Sequence, residues 1–338
     1  YLLAGGTLVL DSSTFESNTA TKNGGAIYAS TGFIVVVPGQ SPSSVLNNAA
    51  DTYGGGMYMG NTRLDVNGSG TQMVVQGNTA GHHGGGFFAA VASSIVVTSG
   101  ARLDVINNTA IQYGGGMFLQ SQGTRLDVSG SGSYLVVKGN SAKIHGGGIC
   151  ASGASLLVSS GAGLGVINNV AAVECGGGVY LASQGTRLDV SGNGTKMVVQ
   201  GNTAGYYGGG VYADTASFVA VSSGASLEVV NNSVSQTGGG VYLKDQGTRL
   251  DVSGSGTQMA VIDNTAEKLG GGFYAVTASS LLVSSGARLD VLNNTAVTHY
   301  GGGMYLQDQG TRLNVSGNGT QMVVQGNTAG QQGGGVCA

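Results

Sequence analysis

Short apolar segments in which hydrophobic and polar residues alternate recur along the whole chain. In residues 124–129, for example, Leu126 and Val128 share one face while Arg125 and Asp127 share the other. This period of two predicts β-strands. No segment carries an apolar stripe at i, i+3 and i+4, and Gly, Ser and β-branched residues fill the intervals, so we expect no α-helix.

The strand-like segments belong to a repeat that is marked by clusters of glycine. Successive clusters begin 30 to 32 residues apart, and two unit types alternate, so that the larger repeat is about 62 residues long. A repeat that covers the whole chain indicates a solenoid. The first glycines of the clusters are Gly24, Gly54, Gly84, Gly114, Gly146, Gly176, Gly208, Gly238, Gly270, Gly301 and Gly333.

The repeat length and its contents predict an all-β fold. Three strands of about five residues each fit one closed coil of a parallel β-helix, and the rule for parallel crossovers favours a right-handed one. We therefore expect one array over residues 1–338 with about eleven coils, stacked into a rod about 50 Å long. Neither end carries a recognisable capping unit, so we expect the array to be an internal part of a longer chain.

Composition and charge exclude several classes of protein. Charged residues make up 9% of the chain and the net charge is −3, which argues against a nucleic-acid partner because phosphate binding needs clustered Lys and Arg. No apolar run approaches the roughly 18 residues of a membrane span, so we expect no span in this part of the protein.

One asparagine recurs in every coil. Stacked amides can donate to and accept from the coils on either side, so we interpret this column as a structural ladder and expect it to tolerate the left-handed backbone of a sharp corner. Ligand binding by the same amides stays open as an alternative. The ladder residues are Asn18, Asn48, Asn78, Asn108, Asn140, Asn169, Asn202, Asn232, Asn264, Asn294 and Asn327.

The first coil carries two literal motifs. Phe15 precedes Asn18 by three residues, and Gly24-Gly25-Ala26-Ile27 follows. Together these motifs resemble the Phe-x-x-Asn and Gly-Gly-Ala-Ile repeats of the chlamydial polymorphic outer-membrane proteins, a family of autotransporter adhesins. In later coils Val commonly replaces Phe and Gly replaces Ala, while the spacing is kept. The resemblance implies a right-handed β-helical passenger exposed on a cell surface.

An aromatic column lies shortly after the glycine clusters. Its neighbours along the chain are apolar, so alternation puts one set inside and the other outside, and we favour aromatic rings that face outward. Such a stack is a candidate ridge for a second filament or for sugars. The tyrosines of this ridge are Tyr28, Tyr58, Tyr180, Tyr212, Tyr242, Tyr274 and Tyr305, with Phe88 and Phe118 between them.

The glycine clusters need an explanation because glycine loses more backbone entropy on folding than other residues. Either the corner requires positive φ angles, which we favour, or another backbone approaches closely. If a second rod packed against a bare glycine stripe, Gly209→Val would spare the fold and disrupt bundling.

Outward charges are periodic as well. Arg63 and Asp65 lie two residues apart on one face, and the pair recurs in every second coil, which predicts a self-neutralising surface.

Catalytic and cofactor chemistry finds little support in the pattern. Polysaccharide-acting enzymes need carboxylates that break the repeat, whereas here they recur in ladders, so we expect no enzyme, no cofactor and no metal site. Ice binding would need two outward Thr columns, whereas the sequence contains only one near-regular Thr column.

The three cysteines, Cys150, Cys175 and Cys337, are too far apart along the coils to predict a disulfide framework. The four histidines precede glycine clusters, and only the pair His82 and His83 suggests a metal.

Seven Asn-x-Ser/Thr sequons are candidate glycosylation sites, several of them in Gly-Ser turns. They are Asn67, Asn107, Asn193, Asn231, Asn293, Asn314 and Asn318.

The uniform columns favour a structural protein, namely a subunit of an extracellular or cell-surface fibre. Its expected partners are other copies of the chain, associated laterally or end to end, or other fibre components. Glycans are further candidate partners. The alternative is the stalk of an autotransporter-like adhesin. A polysaccharide-acting enzyme and an ice-binding protein are minor alternatives.

Overall fold

Each repeat unit closes into one coil of a parallel β-solenoid. The structure, a computed structural model, describes residues 5–338, so the predicted start of the array at residues 1–4 lies outside the described part. Four sheets run along the solenoid, each with eleven parallel strands that pair only with the coils before and after. The described residues contain no helix, as the sequence predicts. The right-handed winding stays a prediction.

We number the sheets in the order in which a coil visits them. The strands of sheet 1 are Gly6–Leu10, Gly32–Val36, Thr62–Asn67, Ser94–Thr98, Arg125–Ser129, Ser155–Ser159, Arg187–Ser191, Phe218–Ser222, Arg249–Ser253, Ser280–Ser284 and Arg312–Ser316. The strands of sheet 2 are Thr14–Glu16, Ser43–Leu46, Gln72–Gln76, Arg102–Ile106, Tyr134–Lys138, Gly163–Ile167, Lys196–Gln200, Ser226–Val230, Gln258–Ile262, Arg288–Leu292 and Gln321–Gln325.

The other two sheets lie on either side of the glycine clusters. The strands of sheet 3 are Thr19–Ala20, Ala49–Ala50, Thr79–Ala80, Thr109–Ala110, Ser141–Ala142, Val170–Ala171, Thr203–Ala204, Ser233–Val234, Thr265–Ala266, Thr295–Ala296 and Thr328–Ala329. The strands of sheet 4 are Ile27–Ala29, Met57–Gly60, Phe87–Ala90, Met117–Gln120, Ile149–Ser152, Val179–Ala182, Val211–Ala213, Val241–Leu243, Phe273–Ala275, Met304–Leu306 and Val336–Cys337.

The coil therefore has a fourth, very short strand that the sequence analysis missed. Sheet 3 contributes two residues per coil, too few to show a period of two. The other three sheets are built from the three strands that the sequence predicts for each coil. Within residues 5–338 the structure holds no helix with the length and hydropathy that crossing a membrane requires.

One apolar core runs along the inside of the solenoid. In register, Leu64 pairs with Ile95 and Ile95 with Leu126, and all three side chains are at most 1% exposed. Similar residues thus stack on each other from coil to coil, and each coil buries its apolar face against its neighbours.

The asparagine column forms a continuous hydrogen-bonded ladder. The side-chain Oδ1 of Asn202 accepts from the backbone N–H and from Nδ2 of Asn169, at 2.9 and 3.0 Å. Its own Nδ2 donates to Oδ1 of Asn232 at 2.9 Å and to the carbonyl of Val166 at 3.0 Å. From Asn48 to Asn294 the ladder residues are at most 1% exposed. This burial leaves the amides no open surface for a ligand along that stretch.

The left-handed corner lies one residue before the ladder asparagine rather than at it. In every coil that preceding residue has a φ between 52° and 68°. Asn and Gly are the residues that adopt this conformation most readily, which explains why they dominate the position. The residues are Ser17, Asn47, Gly77, Asn107, Gly139, Asn168, Gly201, Asn231, Asp263, Asn293 and Gly326.

The glycine clusters serve two purposes in succession. The first glycine of each cluster has a φ of 61° to 71°, as a corner requires. The second glycine is needed because the chain's own neighbouring coil approaches closely: a Cβ on Gly209 would lie 2.4 Å from the carbonyl oxygen of Ser233 and 2.6 Å from that of Gly239. Gly209 is also buried. The expectation that Gly209→Val would spare the fold is therefore wrong.

Candidate functional site

Two stacked columns form what we call the aromatic flank, on the outside of sheet 4. The first is the predicted tyrosine ridge. The second consists of the residues just before the glycine clusters, which bridge from coil to coil. The second column includes Tyr53, His83, Tyr113, His145, Cys175, Tyr207, Thr237 and Leu269.

The tyrosine ridge faces away from the inner core, but its middle is covered. Met57 and Met59 on either side of Tyr58 point inward and are fully buried. The rings of Tyr212 and Tyr242 stack at 4.9 Å, and those of Tyr242 and Tyr274 at 4.8 Å. These three tyrosines are only 4, 6 and 7% exposed. The candidate interaction ridge is therefore not an open surface there, because the second column and neighbouring coils cover it.

Burial makes the covered hydroxyls of this ridge harder to ionise. It raises the pKa of Tyr212 and Tyr242, and raises the pKa of Tyr274 to about 12. Tyr28, Tyr58, Tyr180 and Tyr305 lie in the same column and are half-buried. The flank is thus a strip of stacked aromatic rings that is more accessible at some coils than at others.

His83 belongs to this stack rather than to a histidine pair that binds a metal. Its ring lies between those of Tyr53 and Tyr113, with centroid distances of 5.2 and 4.7 Å. Burial lowers the pKa of His83 to about 4, so the ring is neutral at pH 7. His82 is exposed, and its ring is nearly perpendicular to that of His83 at 6.1 Å.

The low pKa of His83 predicts that acid destabilises the rod. Between the ordinary value of 6.5 and about 4, the unfolded chain binds more protons than the folded chain, so the free energy of unfolding falls as the pH falls through this window. His83→Tyr, which copies the neighbouring column residues, should show a smaller drop in Tm between pH 7 and pH 4 than the unmodified protein. Circular dichroism melts measure it. The exposed His82→Gln variant is the control, and an unchanged drop in His83→Tyr would contradict the assignment.

The outward face of sheet 1 carries the predicted ion pairs. Arg63 and Asp65 lie 2.6 Å apart, and the corresponding pairs recur in every second coil. The arginine side chains are 46 to 49% exposed, so each pair contributes little to stability. The other pairs are Arg125 with Asp127, Arg187 with Asp189 and Arg249 with Asp251.

Sheet 2 adds charge pairs that the sequence analysis did not predict. Arg102 pairs with Asp104 and Arg288 with Asp290, each at 2.8 Å. Lys196 reaches the next coil and lies 2.7 Å from Glu228. The last of these joins residues 32 positions apart, a contact that only the coil register reveals.

The most variable segment of the coil is the turn between sheet 3 and the glycine cluster. It exposes large apolar side chains, with Ile111 at 52%, Val297 at 46% and Tyr206 at 47%. Its length is three residues in most coils but four in residues 172–175 and 297–300. Because this turn differs from coil to coil, a binding partner can recognise one particular coil here. The uniform sheets present the same surface at every coil and offer no such distinction.

The sequons and cysteines divide by exposure. All seven sequon asparagines, namely Asn67, Asn107, Asn193, Asn231, Asn293, Asn314 and Asn318, are exposed. The cysteines are free thiols; Cys150 and Cys175 are buried, and Cys337 is half-buried. Burial raises the pKa of the Cys175 thiol to about 12, so this thiol is protonated at pH 7.

Residues 12–30 match the family model of the Chlamydia polymorphic membrane protein repeat. The resemblance predicted from Phe15, Asn18 and the Gly24–Ile27 motif is thereby confirmed in the first coil. Curated proteins give no significant match to the chain. Among solved structures, a TibC-catalysed hyper-glycosylated TibA fragment is similar, with 16% identity over 91% of this chain and 100% of that one, and a TM-score of 0.24.

Proposed function

We propose that this chain is the rigid stalk of a cell-surface passenger protein of the adhesin type. The observation that carries the proposal is the match of residues 12–30 to a polymorphic membrane protein repeat, in a chain whose columns continue through all eleven coils. The match supports the extracellular, cell-surface location that the sequence predicts. The role of the chain is mechanical and non-enzymatic. It holds other parts of the passenger protein, or its own variable turns, away from the cell.

The structure is suited to this role in two respects. Each internal coil pairs with both neighbours through four sheets, so bending the rod requires many hydrogen bonds to break together. The exposed sequon asparagines also place candidate glycans in solvent, where they can be attached without disturbing a coil.

The fibre-subunit hypothesis stays a prediction, and one observation favours it. The sheet 1 ion pairs recur in every second coil, about 9.6 Å apart, and offer a second rod a periodic charged face. This would make another copy of the chain the partner.

Immunogold labelling of intact cells with antibodies against this chain tests the proposal. We expect label on unpermeabilised cells, loss of the label after mild protease treatment, and reduced attachment to host cells when Fab fragments cover the chain. Label that appears only after permeabilisation would contradict the surface location. Label along detached filaments, without any effect of Fab fragments on attachment, would favour the fibre instead.

A further inference from the structure

Three side chains of different chemistry converge beside the aromatic flank. One ring nitrogen of His145, one carboxylate oxygen of Glu174 and the Sγ of Cys175 all lie within 4.8 Å of one another. The Nε2 of His145 is 3.4 Å from a carboxylate oxygen of Glu174. We propose that these three side chains bind a divalent transition-metal ion of the zinc type, for which thiolate, imidazole and carboxylate are the usual ligands.

The backbone holds two of the ligands in register. His145 and Cys175 each come just before a glycine cluster, and the two residues are bridge partners in successive coils. Their side chains therefore leave the backbone on the same face, about 4.8 Å apart along the rod. The N–H groups of Glu174 and Cys175 both donate to the carbonyl of Ile144, so the backbone of both residues lies against the segment that carries His145.

The repeat is altered at this coil. The turn that carries Glu174 and Cys175 has four residues, 172–175, where the coils on both sides have three. At this column the neighbouring coils carry Tyr113 and Tyr207 in place of His145 and Cys175. Of the two coils with a four-residue turn, only this one brings a histidine, a carboxylate and a thiol together among the described residues.

Neighbouring rings fix the position of the His145 imidazole. The ring is held by stacking on Tyr113 and Tyr180, at 5.1 and 4.4 Å, and its Nδ1 is buried and lacks a hydrogen-bond partner among the described residues. The Cys175 thiol loses its proton to solvent when the metal–sulfur bond forms, so binding releases one proton and weakens as the pH falls.

The site has room for a fourth ligand. Glu174 is 49% exposed at its side chain, while His145 is 16% exposed, so the cluster opens toward solvent on the carboxylate side. A shallow cavity of about 240 Å³ between Glu174, Tyr206 and Tyr207 adjoins it. Three protein ligands and one water are the arrangement of open zinc sites, whereas closed structural sites use four protein ligands.

Titration of the chelator-treated full chain with Co²⁺ tests the proposal, because cobalt replaces zinc and a cobalt–thiolate bond gives a charge-transfer absorption band. We expect a saturable one-to-one band that added Zn²⁺ removes, that Cys175→Ser abolishes and that Glu174→Gln weakens. Cys150→Ser removes the other deeply buried thiol and is the matched control; it should keep the band.

A second readout covers the case in which Cys175→Ser does not fold. Zn²⁺ should raise the Tm of the unmodified protein and of Cys150→Ser, and this increase should disappear in His145→Gln. A missing band in the unmodified protein, a band that persists in Cys175→Ser, or a Zn²⁺ effect that His145→Gln retains would each overturn the site.

Discussion

Asn202→Ala should lower the free energy of unfolding by about 2 to 4 kcal/mol, because it opens a gap in a buried ladder. The substitution removes two hydrogen bonds that the Asn202 side chain accepts from Asn169 and two that it donates, to Asn232 and to the Val166 carbonyl. The backbone N–H of Asn169 then has no acceptor in this dry position, and that desolvated group dominates the cost. Chemical denaturation followed by circular dichroism measures the effect.

Asn193→Ala is the matched control for this variant. Asn193 is exposed in the turn of the same coil that leads to Asn202, so its loss should change stability by no more than about 0.5 kcal/mol. Equal effects of the two substitutions would contradict the view that the ladder amides, rather than asparagine content in general, stabilise the coils.

Gly209→Val should be more damaging still, with a loss of about 3 kcal/mol or more, or a failure to fold around that coil. The added Cβ would lie 2.4 Å from the Ser233 carbonyl oxygen and 2.6 Å from the Gly239 carbonyl oxygen. Both are backbone atoms of hydrogen-bonded coils, so relief requires the coils to separate. Far-ultraviolet circular dichroism and limited proteolysis of the purified chain measure the expected loss.

Gly60→Ala separates this steric effect from glycine substitution as such. Gly60 is buried in sheet 4, but a Cβ there would lie 3.5 Å from its nearest neighbour, which is ordinary contact, and its φ is not positive. The next coil already carries Ala90 in this register. Gly60→Ala should be neutral or slightly stabilising, and a Gly209→Val protein as stable as Gly60→Ala would refute the close approach of the coils.

The solenoid was predictable because its cause is repeated in the sequence. The period of two in segments such as 124–129 and the recurrence of the glycine clusters each appear many times, so chance agreement is small. The asparagine column was visible for the same reason. The two-residue strand Thr79–Ala80 was not, because it is too short to carry a periodic signal.

The surface was harder to predict because it depends on contacts between coils. Tyr212, for example, is covered by residues that precede the glycine clusters of neighbouring coils. The alternation of inward and outward residues along one strand carries no information about such contacts. The role of Gly209 likewise depends on a carbonyl 30 residues away. The cluster of His145, Glu174 and Cys175 did leave a signal, since His145 and Cys175 occupy the same position before successive clusters, but it becomes meaningful only once those positions are known to be neighbours.

Distances between spin labels test most directly the claim that the described coils form one uninterrupted stack. Gln76, Gln200 and Gln325 are exposed at the same position of sheet 2, in the third, seventh and eleventh strands of that sheet. With labels at these positions and Cys337 replaced by Ser, we predict separations of about 19 Å for residues 76 and 200 and about 38 Å for residues 76 and 325. A second distance that is not twice the first, or a broad distribution for either pair, would contradict the continuous rod.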